Sequence, residues 1–86
     1  MKQKILIVDD EVSILQSLSG ILEDEGYELI LAGSGEEGLE RTKKDQPDLI
    51  ILDIWMPGTD GITVLEEIKK LYPLIPVMII SGHGTI

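Results

Sequence analysis

The sequence predicts an α/β fold in which a parallel sheet is covered by helices on both faces. Continuous apolar runs rich in β-branched side chains are typical of strands that are buried on both faces. Such runs occupy residues 5–8, 49–52 and 77–80, and a weaker run, predicted to lie nearer an edge, occupies residues 28–31. Helical patterns separate these runs, and the order β-α-β-α-β-α-β implies right-handed crossovers between parallel strands.

Capping and stop signals delimit the three helices. The first has apolar residues at three- and four-residue spacing and is predicted to end before Gly26. The second begins at Ser34, where Glu37 three residues later completes a capping-box pattern, and it ends before Pro47. The third begins near Asp60 and ends at the prolines that follow it. There is no internal linker or repeat, so a single domain is predicted.

Composition excludes several classes of function. The chain of 86 residues has 16 acidic and 7 basic residues, a net charge of -9. This balance argues against direct contact with nucleic acid or with an anionic membrane surface, because both depend on Lys and Arg. It fits a site that gathers cations, although many ordinary cytoplasmic proteins are equally acidic. The absence of cysteine excludes disulfides and thiolate metal sites and is compatible with a cytoplasmic location.

Polar residues follow three of the predicted strands. Asp9 and Asp10 follow the first, Asp53 follows the third, and Ser81 follows the fourth. In an open parallel sheet, ligands bind beyond the carboxyl ends of the strands, so these side chains converge if the three strands are neighbours. Close carboxylates repel each other by about 4 kcal/mol per pair at an effective dielectric constant of 20. A bound cation relieves this repulsion, and oxygen-only ligands favour Mg²⁺.

A simpler interpretation exists for some of these residues. Asp9, Asp10 and Glu11 could open a helix, where capping and acidic first turns are common. Ser81 alone could be an ordinary loop residue. Asp53 is harder to explain in this way, because it follows a buried strand and no helix begins directly after it.

Three motifs in this order resemble the receiver domain of two-component response regulators, and the resemblance covers the whole chain. They are ILIVDDE at residues 5–11, LIILDIWMPGTDG at residues 49–61 and VMIISG at residues 77–82. Residues 53–57 and 81–84 are most similar to receivers attached to sigma-54-dependent activators of the nitrogen-regulation kind. The resemblance implies a flavodoxin-like (CheY-like), doubly wound parallel sheet with strand order 2-1-3-4.

The resemblance also implies a role for each acid at the strand ends. Asp53 would be the phosphoacceptor nucleophile. Asp10 and Asp53, with Asp9 acting through water, would hold Mg²⁺ together with the backbone carbonyl of Trp55. The function implied is a phosphoacceptor signalling module that receives its phosphoryl group from a sensor histidine kinase.

Other matching positions would support the phosphoryl group. Ser81 would be the switch hydroxyl, and the backbone amide of Gly82 would bind phosphoryl oxygens. Trp55 and His83 would tune dephosphorylation, and Met56, Pro57 and Gly61 would shape the loop that follows Asp53. Two of these assignments have plain alternatives: His83 could be an exposed loop residue, and Trp55 could pack on a neighbouring loop.

The implied module relays its signal to an output, transcription-regulating domain that this chain does not contain. It would catalyse only its own phosphorylation and dephosphorylation and would not be an enzyme in the usual sense. A haloacid-dehalogenase-like phosphatase would need an acid two positions after its nucleophile, where Trp55 stands. The remaining alternative is an interaction-only pseudo-receiver.

The chain departs from the receiver pattern after its fourth strand. The family has a fifth strand with an aromatic residue, followed by a lysine, whereas the last lysine here is Lys70 on the third helix. Residues 1–86 are therefore predicted to be a C-terminally truncated receiver domain that lacks the last helix, strand and helix. The exposed edge of the fourth strand predicts self-association as a homodimer or higher oligomer.

Overall fold

Strands and helices alternate along residues 2–56 and 59–80, the part of the chain that this computed structural model describes. The elements are β1 (Lys4–Val8), α1 (Val12–Asp24), β2 (Glu28–Ala32), α2 (Gly35–Asp45), β3 (Leu49–Asp53), β4 (Trp55–Met56), β5 (Thr59–Asp60), α3 (Gly61–Leu71) and β6 (Val77–Ile80). The predicted alternation is confirmed, and the short strands β4 and β5 are an addition to it. No helix in the described part combines the length and hydropathy that a membrane span requires.

The four long strands form one parallel sheet in the order β2-β1-β3-β6. When the long strands alone are counted, this is the predicted order 2-1-3-4. The inner strands β1 and β3 are almost entirely buried. In the pairing of these two strands, Val8 lies opposite Leu52. The residues that end both strands therefore meet at the same edge of the sheet.

Helices cover both faces of the sheet, as predicted. Side chains of a strand point alternately to its two faces, so Leu6 and Val8 pack toward α2 and α3, whereas Ile5 and Ile7 pack toward α1. The helix α1 contributes three half-buried leucines to the second cluster, namely Leu15, Leu18 and Leu22. Fully burying an aliphatic side chain stabilises a fold by about 1.5–3 kcal/mol, so each of these half-buried leucines contributes less than this.

The helix boundaries follow the predicted capping signals. The hydroxyl of Ser34 accepts a hydrogen bond from the Glu37 backbone N–H, which places the start of α2 where it was expected. The Glu37 carboxylate accepts from the N–H of Gly33 at 2.8 Å, one residue before the position that a standard capping box uses. Gly26, with φ of 95°, follows α1 and ends it.

Gly38 inside α2 has a packing role that the sequence pattern did not reveal. A Cβ atom at this position would lie 2.8 Å from Cγ2 of Val8, which is fully buried in β1. Glycine lowers helix propensity by about 0.5–1 kcal/mol relative to alanine. Here it allows α2 to lie directly on the central strand of the sheet.

The two outer strands differ in how well the sequence predicted them. The edge position expected for residues 28–31 is confirmed by β2. The prediction that residues 77–80 are buried on both faces is wrong, because Met78 is 53% exposed and Ile79 is 45% exposed. The reason is that β6 is the outermost strand of the described sheet, and only its half-buried residues Val77 and Ile80 reach the two apolar clusters.

Candidate functional site

Three aspartates meet at the carboxyl edge of the sheet. Asp9 follows β1 directly, Asp10 is the next residue, and Asp53 is the last residue of β3. Because β1 and β3 are neighbours in register, one carboxylate oxygen from each aspartate lies within 4.8 Å of the other two. We call these three residues the acid cluster. Asp9 and Asp53 are buried, whereas Asp10 is exposed.

Asp9 is a buried member of the acid cluster. Its Oδ1 accepts a hydrogen bond from the Glu11 backbone N–H at 2.9 Å. Its Oδ2 is buried and has no hydrogen-bond partner among the residues that the structure describes. Burial raises the pKa of Asp9, and the negative charges of Asp53 and Asp10 raise it further, against the opposing effect of the Glu11 hydrogen bond.

Asp53 is held by the loop that follows it. Its side chain is fully buried, and its Oδ1 accepts a hydrogen bond from the backbone N–H of Trp55 at 2.9 Å. This bond fixes the carboxylate relative to the carboxyl end of β3. The Trp55 side chain points largely into solvent and is 60% exposed.

The acid cluster is chemically suited to hold a metal ion. Its donors are all carboxylate oxygens, which hard divalent cations prefer. A buried carboxylate oxygen without a partner, as Asp9 Oδ2 is in the described part of the chain, is costly unless a cation or water compensates it. The alternative interpretation, in which these acids only open a helix, is less well supported. The N-cap residue of α1 is Glu11, and its side chain makes no capping hydrogen bond.

Short-range contacts connect the acid cluster to α3. The strands β4 and β5 form an antiparallel pair in which Trp55 lies opposite Asp60. The Asp60 carboxylate caps α3 by accepting from the backbone N–H groups of Ile62 and Thr63. This pair of strands was not predicted, although Pro57-Gly58, the dipeptide between them in the sequence, is a typical turn signal.

Gly61 lies in close contact with the residue that follows Asp53. A Cβ at Gly61 would lie 2.4 Å from the Ile54 Cα and 2.8 Å from the Ile54 carbonyl oxygen. The first turn of α3 therefore rests directly on the backbone next to Asp53. The role expected for Gly61 in shaping this loop remains a prediction, and the close approach supplies its physical basis.

Several predicted site residues cannot be placed. Ser81, Gly82 and His83 lie outside the described residues, and so does Pro57. The backbone N–H of Trp55 is turned toward Asp53, while the metal-binding role of its carbonyl stays a prediction. The site that the structure brings together therefore consists of the acid cluster and the backbone of Trp55.

The raised pKa of Asp9 predicts a pH-dependent cost to folding. In the folded state Asp9 binds its proton more tightly than at its ordinary pKa of 3.8. Stability must therefore fall as the pH rises from about this value through the higher pKa of the folded state. Asp9→Asn removes the ionisation, so without metal we expect this variant to be more stable than the wild type at pH 7, with the difference shrinking below pH 3.8.

Urea unfolding at a series of pH values, with EDTA present, measures this difference. Glu67→Gln removes one charge from the exposed surface of α3 and serves as the control. Its free energy of unfolding relative to the wild type should change little over the same pH range. Equal or lower stability of Asp9→Asn at pH 7 would show that the surroundings of Asp9 do not disfavour its ionised form.

Comparisons with known proteins agree with this geometry. Residues 5–86 match the family described as the response regulator receiver domain. The chain is 48% identical over 84 residues to an NtrX-like response regulator of Rickettsia bellii, a match that covers 95% of this chain and 18% of that protein. It is 47% identical over 88 residues to the nitrogen assimilation regulatory protein NtrX of Azorhizobium caulinodans, covering 100% of this chain and 19% of that protein. The chain thus spans less than a fifth of the length of these relatives.

A solved structure extends the similarity to the fold. The CheY-like receiver domain protein of Methanospirillum hungatei superposes with a TM-score of 0.92 at 36% identity, covering 100% of this chain and 69% of that one. Together with the strand order, this match confirms the predicted CheY-like, flavodoxin-like fold. The NtrX relatives confirm the predicted similarity to receivers of the nitrogen-regulation kind.

Proposed function

The chain belongs to the response regulator receiver domain family, whose members are phosphoacceptors of two-component signalling, and on this basis we propose that Asp53 accepts a phosphoryl group. The observation that carries the proposal is the position of the Asp53 carboxylate. It is buried at the end of β3, oriented by the Trp55 N–H, and grouped with the carboxylates of Asp9 and Asp10.

The proposed reaction is a displacement at phosphorus. A carboxylate oxygen of Asp53 forms the new P–O bond while the bond between phosphorus and its leaving group breaks, and the leaving group departs with that electron pair. Phosphoryl transfer depends mainly on placement and on neutralisation of charge. The hydrogen bond from Trp55 N–H supplies part of the placement, because it restricts rotation of the Asp53 carboxylate.

The proposed cofactor is Mg²⁺. Asp9, Asp10 and Asp53 would hold it, with the backbone carbonyl of Trp55 as a further ligand. When bound, the ion offsets the repulsion between an anionic nucleophile and an anionic phosphoryl donor. The all-oxygen donor set and the buried Asp9 Oδ2 support this assignment over a softer metal.

The proposal includes the remaining predicted roles. Ser81 acts as the switch hydroxyl, the Gly82 amide binds phosphoryl oxygens, and Trp55 and His83 tune dephosphorylation. The exposed Trp55 side chain beside the buried Asp53 supports a position on the route of the attacking water. The grouping of the three acids speaks against an interaction-only pseudo-receiver, and no observation favours a phosphatase.

The proposed partners follow from the same assignment. The phosphoryl donor is a sensor histidine kinase in the cytoplasm, and the signal passes to an output domain that lies outside this chain. Residues 1–86 would belong to one receiver domain, and the match of the whole chain to the receiver domain protein of Methanospirillum hungatei supports this assignment.

Trp55 allows a direct test of the metal and phosphoryl assignments. It is the only tryptophan in the chain, and its backbone N–H donates a hydrogen bond to the Asp53 carboxylate. We therefore expect the Trp55 fluorescence to change with Mg²⁺ concentration until the site is saturated. With acetyl phosphate and Mg²⁺, intact mass spectrometry should detect the gain of one phosphoryl group, and EDTA should prevent it. Absence of any mass gain in the wild-type chain with Mg²⁺ would overturn the proposed function.

A further inference from the structure

Asp60 uses both of its carboxylate oxygens at the start of α3. Its Oδ1 accepts hydrogen bonds from the backbone N–H groups of Ile62 at 3.0 Å and Thr63 at 3.4 Å. Its Oδ2 accepts a hydrogen bond from the hydroxyl of Thr63 at 2.8 Å. One side-chain oxygen is enough to cap a helix, so the bond to Oδ2 adds something that capping does not require. It fixes the rotation of the carboxylate, although Asp60 is exposed to solvent.

The backbone of Asp60 borders the segment that follows Asp53. Asp60 is the last residue of β5 and also the N-cap residue of α3. In the antiparallel pair of β4 and β5 it lies opposite Trp55. The next residue, Gly61, approaches Ile54 so closely that a Cβ there would lie 2.4 Å from the Ile54 Cα. Asp60 therefore joins the first turn of α3 to the two residues that come directly after Asp53.

This connection reaches the proposed phosphoacceptor through Trp55. The backbone N–H of Trp55 donates to Oδ1 of Asp53 at 2.9 Å. Burial does not hold Trp55 in place, because its side chain is 60% exposed. Its neighbours are anchored on the side of the sheet, Ile54 by a backbone hydrogen bond to β6 and Met56 by burial in the core. The pairing with Asp60, by contrast, acts on Trp55 itself.

We propose that Asp60 is a positioning residue for the phosphoacceptor site. By fixing α3 to β5, its hydrogen bonds hold Trp55 where the Trp55 N–H meets the Asp53 carboxylate. The simpler alternative is a helix cap that contributes to stability alone. The consequence for Mg²⁺ binding rests on the proposed function, whereas the consequence for the backbone of Trp55 does not.

Amide hydrogen exchange of the 86-residue chain, followed by NMR with EDTA present, tests the effect on Trp55 directly. We expect the Trp55 amide to exchange about tenfold faster in Asp60→Ala than in the wild type, because opening of the β4–β5 pair releases its N–H from Asp53. Thr63→Val removes the bond to Oδ2 but keeps the backbone cap. It should give a smaller increase, which is measurable even if Asp60→Ala does not fold.

Ser34→Ala is the matched control for the loss of a helix cap. Ser34 caps α2 by accepting from the Glu37 N–H, and it lies in neither strand of the β4–β5 pair. Loss of either cap should lower the melting temperature by about 4–8 °C. The Trp55 amide of Ser34→Ala should nevertheless exchange at the wild-type rate. Equal acceleration in Ser34→Ala and Asp60→Ala would overturn the proposal, and so would unchanged exchange in both Thr63→Val and Asp60→Ala.

A Mg²⁺ titration followed by Trp55 fluorescence separates positioning from charge. Asp60→Ala and Asp60→Asn remove the same negative charge, but asparagine keeps an oxygen that can cap α3 and an amide that can bond to Thr63. We expect the Mg²⁺ dissociation constant to rise about tenfold in Asp60→Ala and to stay near the wild-type value in Asp60→Asn. Equal weakening in the two variants would assign the effect to charge and would overturn the proposal.

The two measurements also distinguish this proposal from the proposed function. A wild-type chain that neither responds to Mg²⁺ nor gains a phosphoryl group would contradict the proposed function. The exchange rates measured with EDTA need neither metal nor phosphate, so they would still decide whether Asp60 positions Trp55.

Discussion

Asp53→Asn is expected to reduce phosphoryl uptake from acetyl phosphate to the background level. The substitution preserves the size of the side chain and an oxygen that can accept the Trp55 N–H, so the loop after β3 should keep its conformation. It removes the anionic oxygen that attacks phosphorus. Loss of a nucleophile typically lowers the rate by a factor on the order of 10⁴ or more, which places the variant below detection by intact mass spectrometry.

The control for this variant is an aspartate outside the acid cluster. Asp24 is exposed at the end of α1, and Asp24→Asn should take up one phosphoryl group as the wild type does. The Mg²⁺-dependent fluorescence of Trp55 shows separately whether the metal site survives in each variant. Uptake by Asp53→Asn at the wild-type rate would assign the phosphoryl group to another residue and would remove the proposed function.

Gly61→Ala is expected to destabilise the fold strongly. The added Cβ would lie 2.4 Å from the Cα of Ile54, a backbone atom that cannot move without displacing the segment next to Asp53. Overpacking of this kind costs about 1–3 kcal/mol and occasionally more. For a domain of this size, each kcal/mol lowers the melting temperature by roughly 4–8 °C. Thermal unfolding followed by circular dichroism should therefore show a decrease of about 5–20 °C.

Gly20→Ala separates this clash from the general effect of replacing glycine in a helix. Gly20 lies inside α1, and a Cβ there would have nothing within 4 Å. Alanine is favoured over glycine in a helix by about 0.5–1 kcal/mol, so this variant should melt at a higher temperature than the wild type. Equal melting temperatures for the two variants would show that the close approach of Gly61 to Ile54 does not affect the stability of the fold.

Local features of the chain were predictable because short-range rules govern them. The period of the apolar residues identified the three helices and four long strands, and side-chain capping placed Ser34 and Asp60 at the starts of α2 and α3. The acids at the ends of the first and third apolar runs were also visible in the sequence. These features depend on residues that are close together along the chain.

Contacts between distant segments needed the tertiary structure. The apolar pattern by itself does not state which strands are neighbours, and the order 2-1-3-4 was predicted only through the resemblance to receiver domains. In the structure, the pairing of β1 with β3 brings Asp9 and Asp53 together. The close approaches of Gly38 to Val8 and of Gly61 to Ile54 likewise appear only when the elements pack.

The exposure of β6 illustrates the same limit. Its apolar run has the composition of an inner strand, yet its position at the edge of the described sheet leaves Met78 and Ile79 partly in solvent. The pattern of residues along the chain therefore determined the type of each long element and the acids that follow the first and third long strands. Burial and proximity were decided by the packing of neighbours, because they depend on the free energy of the whole assembly of strands and helices.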